Sequence, residues 1–316
     1  MSDYLHNHKD FAALLRIVGQ ELSIEPGLIE KDYWIMHVLY GLKQQGYKFE
    51  LKGGTSLSKG YGIIHRFSED IDIHIKPPIN LNIDENPKKE KPANIEAKRH
   101  FYDGLAADIK IDGIIDVKRD IAFDDTRYYR SGGIRLNYNS ISEGIDGVKE
   151  GILLEAGFDT VTPNNNLSIS SWAYDRAIEQ GVDIIDNQAK DIACYHPGYT
   201  FVEKLQTIAT KFRQEQETGE ERQNLMRHYY DVYSLLENKQ VQDFIASEEY
   251  QAHKTARFPK TDYNIPIAEN EAFLLTDKEL RNRFRQRYEK TATLYYKGQP
   301  NFNEMLAEIG KWVARL

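Results

Sequence analysis

The sequence predicts an α+β fold in two parts, an N-terminal half built on a mixed sheet with flanking helices and a C-terminal half that is helical. Three observations predict it. Short strand-like runs alternate with helical stretches through the first 195 or so residues. The tripeptide His196-Pro197-Gly198 then marks a change of character. Beyond it almost every window has helical spacing. The domains are expected at 1–197 and 198–316, and 316 residues suffice for two. There is no internal repeat.

Along the chain, 4–20 has helical spacing with Phe11, Leu14, Leu15 and Val18 on one stripe. Ser23, with Glu25 and Pro26 after it, reads as the start signal of a second helix over about 27–45. A short strand over 48–52 runs into Gly53-Gly54. A short helix over 55–61 and a strand over Asp70–Ile75 follow. The stretch 77–94, with four prolines and mixed charge, reads as a surface excursion. A helix over 95–110 precedes strands at 113–118, 132–139 and 150–158. The helical half reads as 200–216, 224–237, 241–256, 277–297 and 301–316.

Composition sets further bounds. With 41% hydrophobic and 28% charged residues, disorder and low-complexity classes are excluded. The longest apolar candidate for a membrane span, 33–42, is short and interrupted by His37. Cys194 is the one cysteine, so no internal disulfide can form and a reducing cytoplasm is the expected location. The balance of 41 Lys+Arg against 49 Asp+Glu gives a net charge of −8. Any nucleic-acid binding must therefore come from a local patch. The nine His have no zinc-type spacing.

The most informative stretch is Asp70-Ile71-Asp72-Ile73-His74-Ile75. On a strand the isoleucines share one face and Asp70, Asp72 and His74 the other. Two neighbouring carboxylates repel, and a hard divalent cation between them relieves this. Upstream, Gly53-Gly54-Thr55-Ser56 ends a strand at a helix start, where backbone N–H groups can turn toward an anion. A phosphate cradle followed by paired carboxylates suits a nucleotide whose phosphates are bridged by metal.

These residues resemble the signature of the AbiEii/AbiGii toxin family, nucleotidyltransferases of the DNA polymerase β-like superfamily and toxin halves of type IV toxin–antitoxin pairs. The resemblance lies in Gly53-Gly54-Thr55-Ser56-Leu57 and Arg66-Phe67-Ser68-Glu69-Asp70-Ile71-Asp72-Ile73. It continues in Glu30-Lys31-Asp32-Tyr33-Trp34, in His196-Pro197 with Thr200-Phe201-Val202-Glu203-Lys204-Leu205, and in the run from Arg227 to Tyr233. Fifteen residues separate Gly54 from Asp70, a little more than the general superfamily pattern. The final eighty or so residues add nothing to the resemblance.

The resemblance implies a polymerase β-like N-terminal domain that transfers a nucleoside monophosphate from an NTP to a hydroxyl. Asp70 and Asp72 would hold two Mg2+, with Mn2+ as the alternative ion. Gly53, Gly54, Thr55 and Ser56 would grip the leaving phosphates, with Ser68 a further phosphate-binding or self-modification candidate. Such a site usually takes a third carboxylate from a neighbouring strand. Glu155, an isolated acid in an apolar strand, is the candidate for metal binding and proton removal. The resemblance also marks Lys204 and Asp231 as functional. It further implies an RNA acceptor, with the tRNA acceptor end one candidate, and a separately encoded antitoxin. For RNA contact, Arg127-Tyr128-Tyr129-Arg130 with Arg135, and Arg281, Arg283, Arg285 and Arg287, interleave or cluster basic residues. Two alternatives stay open: transfer to a protein or small molecule, and a catalytically silent nucleotide-binding scaffold.

Overall fold

The computed structural model describes residues 2–86, 91–145, 148–159, 161–222 and 224–316. The chain forms two compact units, Met1–Gly60 with Ser68–Tyr195, and Tyr61–Phe67 with His196–Leu316. Residues 87–90 of the expected surface excursion lie outside the described residues.

The first unit opens with α1 (Phe11–Leu22) and α2 (Pro26–Gln44). Helix α1 starts later than its apolar stripe suggests, because residues 5–7 form a separate 3-10 turn. Ser23 does not start α2. It sits in the left-handed region with φ 56° and closes α1, its N–H donating to the Gln20 and Gly19 carbonyls. Pro26 is the true first residue of α2, where its missing N–H costs nothing.

Seven strands follow: β1 (Phe49–Lys52), β2 (Asp70–Ile75), β3 (Ile114–Arg119), β4 (Ser131–Tyr138), β5 (Ile152–Gly157), β6 (Asn164–Ile169) and β7 (Ala189–Tyr195). Helix α3 (Pro92–Asp108) lies between β2 and β3 in sequence, and α4 (Trp172–Glu179) between β6 and β7. They make one mixed sheet in the order β3-β4-β5-β2-β1-β7-β6. The β2/β5 and β1/β7 pairs are parallel; the other four are antiparallel. Ile71, Ile73 and Ile75 are fully buried, and α2 packs on β5 and β7.

Elements β6, α4 and β7 were not legible in the sequence. Strand β6 begins Asn-Asn-Asn, and β7 carries Asp191 at φ 50°, so neither has a clean period of two.

The second unit holds α5 (Pro197–Thr218), α6 (Leu225–Leu236), α7 (Lys239–Ile245), α8 (Glu248–Arg257), α9 (Lys278–Glu289) and α10 (Phe302–Trp312). The expected single helix over 241–256 is two. Ser247 accepts from the Tyr250 N–H and starts α8, a cap that Ser-Glu-Glu advertises in the sequence. Helix α9 ends at Glu289, before the expected 297. The segment Tyr61–Phe67 is the addition no periodicity shows. The Phe67 N–H donates to the Leu294 carbonyl at 2.7 Å, and the His65 N–H to the Tyr230 hydroxyl at 3.0 Å. Among the described residues, no helix is long and apolar enough to cross a membrane.

Candidate active site

Strand register assembles the acidic face. Asp72 lies opposite Lys52 of β1 on one side and opposite Glu155 of β5 on the other. Directly opposed residues share a face, so a cation and two carboxylates run in a row across three strands. Asp70 adds a third carboxylate two residues back on the same face. Glu155 in turn faces Gly133 of β4, which has no side chain to cover it.

This crowding has an electrostatic signature. Burial first, then the Asp72 and Asp70 charges, push the Glu155 carboxyl up to about 8, against the pull of Lys149 and Lys52. The ammonium of Lys149 is bidentate on Asp70 at 2.8 and 3.0 Å. It also lies 4.6 Å from the centre of the Phe123 ring. Among the described residues no three His, Cys, Asp or Glu side chains converge as a ready-made metal group. The donor set still fits a hard divalent ion, because it is all carboxylate and the repulsion recorded at Glu155 is what such an ion relieves.

Gly53 is fixed here by geometry. Its φ is 72°, and a Cβ on it would lie 2.2 Å from Asp72 Oδ2. Only glycine allows the turn and the close approach of the Asp72 carboxylate. Gly54, Thr55 and Ser56 are buried. The Thr55 hydroxyl donates to the Asp70 carbonyl at 2.5 Å, tying the glycine turn to β2. The Ser56 hydroxyl lies beside Cys194, whose thiol burial raises to about 11. The Thr55 hydroxyl is thus engaged inside the unit, whereas the buried Ser56 hydroxyl has no hydrogen-bond partner among the described residues. Ser68 is half-buried at the end of the loop that leads into β2.

Three successive charges on α2, unread as a device in the sequence, brace the site. Glu30, Lys31 and Asp32 are each at most 3% exposed. Glu30 accepts from the Ile141 and Ser142 N–H groups, both at 3.0 Å. Lys31 pairs with Glu69 at 3.6 Å and donates to the Lys149 carbonyl. Burial lowers the Lys31 ammonium to about 8 despite Glu69 and Asp70. Asp32 pairs with Lys59 at 2.7 Å and accepts from the Trp172 N–H at 2.9 Å. Glu69 completes the brace by accepting from the Lys149 N–H at 2.9 Å.

The second unit holds the other two expected site residues. Lys204 on α5 pairs at 2.9 Å with Asp231 on α6. Asp231 is fully buried and also takes a bidentate bond from Arg66, at 2.6 and 2.8 Å. Burial alone would raise the Asp231 carboxyl, but Arg66 and Lys204 overcome it and hold it well below the carboxylate range. Burial, then Lys204 and Lys211, keeps the neighbouring His228 imidazole neutral. Arg66 belongs to the motif that carries the family resemblance, yet nothing in the sequence pairs it with Asp231.

Other expectations resolve less simply. His74 shares the Asp face and lies between Glu50 and Glu85, bonding the latter at 2.8 Å. Arg127 and Arg130 stack on the Tyr128 ring at 4.7 and 4.5 Å. Arg135 is spent on Asp120 at 2.6 Å. Arg281 donates to the Leu275 and Leu274 carbonyls, and Arg287 is bidentate on Glu215. Those last two serve the helical packing.

A family model described as nucleotidyl transferase AbiEii toxin, type IV toxin–antitoxin system, matches residues 37–308. The chain belongs to the AbiEii family. It is a nucleotidyltransferase, and its family implies an NTP substrate and an antitoxin partner. The match runs through the final helices, beyond the last residues at which the sequence resembled the family on reading. No curated protein and no solved structure gives a match.

Proposed function

We propose that this AbiEii nucleotidyltransferase is a metal-dependent toxin that transfers a nucleoside monophosphate from an NTP to an RNA hydroxyl, the tRNA acceptor end being the leading candidate. The observation that carries the metal-dependent site is the row Lys52, Asp72, Glu155 with Gly53 folded against Asp72. Asp70, Asp72 and Glu155 would hold two Mg2+, or Mn2+ in their place. The bound ions would polarise the phosphates and offset their charge.

The chain's own residues supply the rest. The Gly53-Gly54 turn presents backbone N–H groups to the leaving phosphates, with Ser68 at the loop edge a further donor. The acceptor hydroxyl oxygen forms a bond to the α-phosphorus while the α–β bridging P–O bond breaks, and pyrophosphate leaves. The hydroxyl proton goes to the carboxylate of Glu155, opposite Asp72 on the neighbouring strand. In the helical unit Lys204, oriented by Asp231, is the cation that the family resemblance marks as functional. The Arg–Tyr–Arg stack at 127–130 supports a nucleic-acid acceptor, since aromatic and guanidinium faces stack on bases.

The test incubates the protein with Mg2+, each labelled NTP in turn and total cellular RNA, beside Asp72→Ala. Label is expected on RNA with the wild type and absent with the variant. Label on protein alone would replace the RNA acceptor with a protein one. NTP binding without any labelled product would make the chain a silent scaffold.

A further inference from the structure

Lys149 has no counterpart among the residues that the sequence pattern marks, yet its ammonium is bidentate on the Asp70 carboxylate. Both Asp70 oxygens lie within 3.0 Å of its ammonium. A divalent ion needs those same oxygens at about 2.1 Å for Mg2+. An ammonium and a divalent ion cannot both take them, because they compete for the lone pairs and repel each other.

The lysine is also built to let go. Its main chain is anchored on both sides: its N–H donates to Glu69, and its carbonyl accepts from buried Lys31. Among the described residues its side chain is held by Asp70 and the Phe123 face, and the Lys149 and Asp70 side chains stay 29% and 22% exposed. A flexible four-carbon stem on a fixed backbone can retract from Asp70 without disturbing β2. While it stays, it draws down the charge of the cluster, as its opposing pull on Glu155 shows.

We infer that Lys149 is a surrogate cation, which neutralises Asp70 in the metal-free protein and must leave before a divalent ion can occupy the carboxylate site. Lys149 thereby sets the metal concentration at which the site loads. The inference rests on the proposed reading of Asp70, Asp72 and Glu155 as metal-binding residues.

Mn2+ binding to the nucleotide-free, full-length protein tests it, read by electron paramagnetic resonance of the free ion. Wild type, Lys149→Met, Lys149→Gln, Lys149→Arg and Asp70→Asn are compared. Lys149→Met and Lys149→Gln are expected to bind Mn2+ about two- to fivefold more tightly, the range for losing a partly exposed ion-pair competitor. Lys149→Arg should stay near wild type. Because the anchoring contacts use Lys149 backbone atoms, urea midpoints of the variants should match wild type. Unchanged or weaker Mn2+ affinity in both neutral variants would overturn the inference and leave the carboxylate site standing. Mn2+ binding that ignores Asp70→Asn would instead overturn the carboxylate site itself, and the inference with it.

Discussion

Two clusters of charge in this molecule follow opposite designs. On the sheet, Asp70, Asp72 and Glu155 crowd three carboxylates onto one face, against the two cations Lys149 and Lys52 that act on Glu155, and burial together with that crowding pushes the Glu155 carboxyl up to about 8. In the helical unit a single carboxylate, Asp231, is fully buried between Arg66 and Lys204 and held ionised. The first cluster sets three carboxylates against two cations. The second is satisfied as it stands. A buried charge with its partners in place orders helices and orients Lys204, whereas unrelieved repulsion serves only something that arrives from outside.

The largest effects should separate these designs by readout. Asp72→Ala should lower nucleotidyl transfer about a thousandfold or more, matching the several kcal/mol that metal-borne charge stabilisation supplies. Its urea midpoint should hold or rise, since a like charge has been removed. Asp231→Ala should do the reverse in kind, costing about 3–5 kcal/mol of stability by stranding Arg66 in the interior. Denaturant melts of the two variants check this, and similar destabilisation in both would break the comparison. Gly53→Ala comes next. A side chain at φ 72°, 2.2 Å from Asp72 Oδ2, should cost about 1–3 kcal/mol and displace the carboxylate, so that activity falls further than stability. Activity close to wild type would show that the turn tolerates a Cβ.

How far each cluster could be read from the chain follows the same division. The alternation Asp70-Ile71-Asp72-Ile73 announces its faces, because strand geometry converts sequence parity directly into side. Glu155 was visible as an isolated acid in an apolar strand, but its place opposite Asp72 depends on pairing register, which no local pattern encodes. Lys149 was invisible, since a lysine in a loop looks like an ordinary surface residue, and Lys31, though part of the family-like run from Glu30 to Trp34, gave no sign of its burial until the fold was known. The Arg66–Asp231 pair spans 165 positions and joins a loop to a helix, so only the folded chain could join them. Polar β6 and kinked β7 lacked the alternation that made β2 plain.

The smallest effect is also the sharpest, because the two clusters should give pH slopes in different windows. For Glu155 the folded pKa is raised from 4.5 to about 8. Between those values the folded protein holds a proton that the unfolded chain has released, so stability falls as pH rises through the window. For Asp231 the folded pKa is lowered from 3.8. Its contribution is complete above that value and is lost as pH falls below it. Lys31, lowered to about 8, adds a rise in stability only above pH 8. In the same range His6, His37, His65, His196 and His228, all lowered by burial, add a rise in stability with pH, so the Glu155 contribution is read as the difference between wild type and Glu155→Gln in thermal midpoints recorded in chelator between about pH 5 and 7.5. Relative to Glu155→Gln, wild type should lose stability across that range, while both proteins keep the acid-side loss that Asp231 controls. Parallel slopes in the two proteins would mean that repulsion at the sheet cluster is already relieved without metal, and the contrast between a crowded and a satisfied cluster would fall.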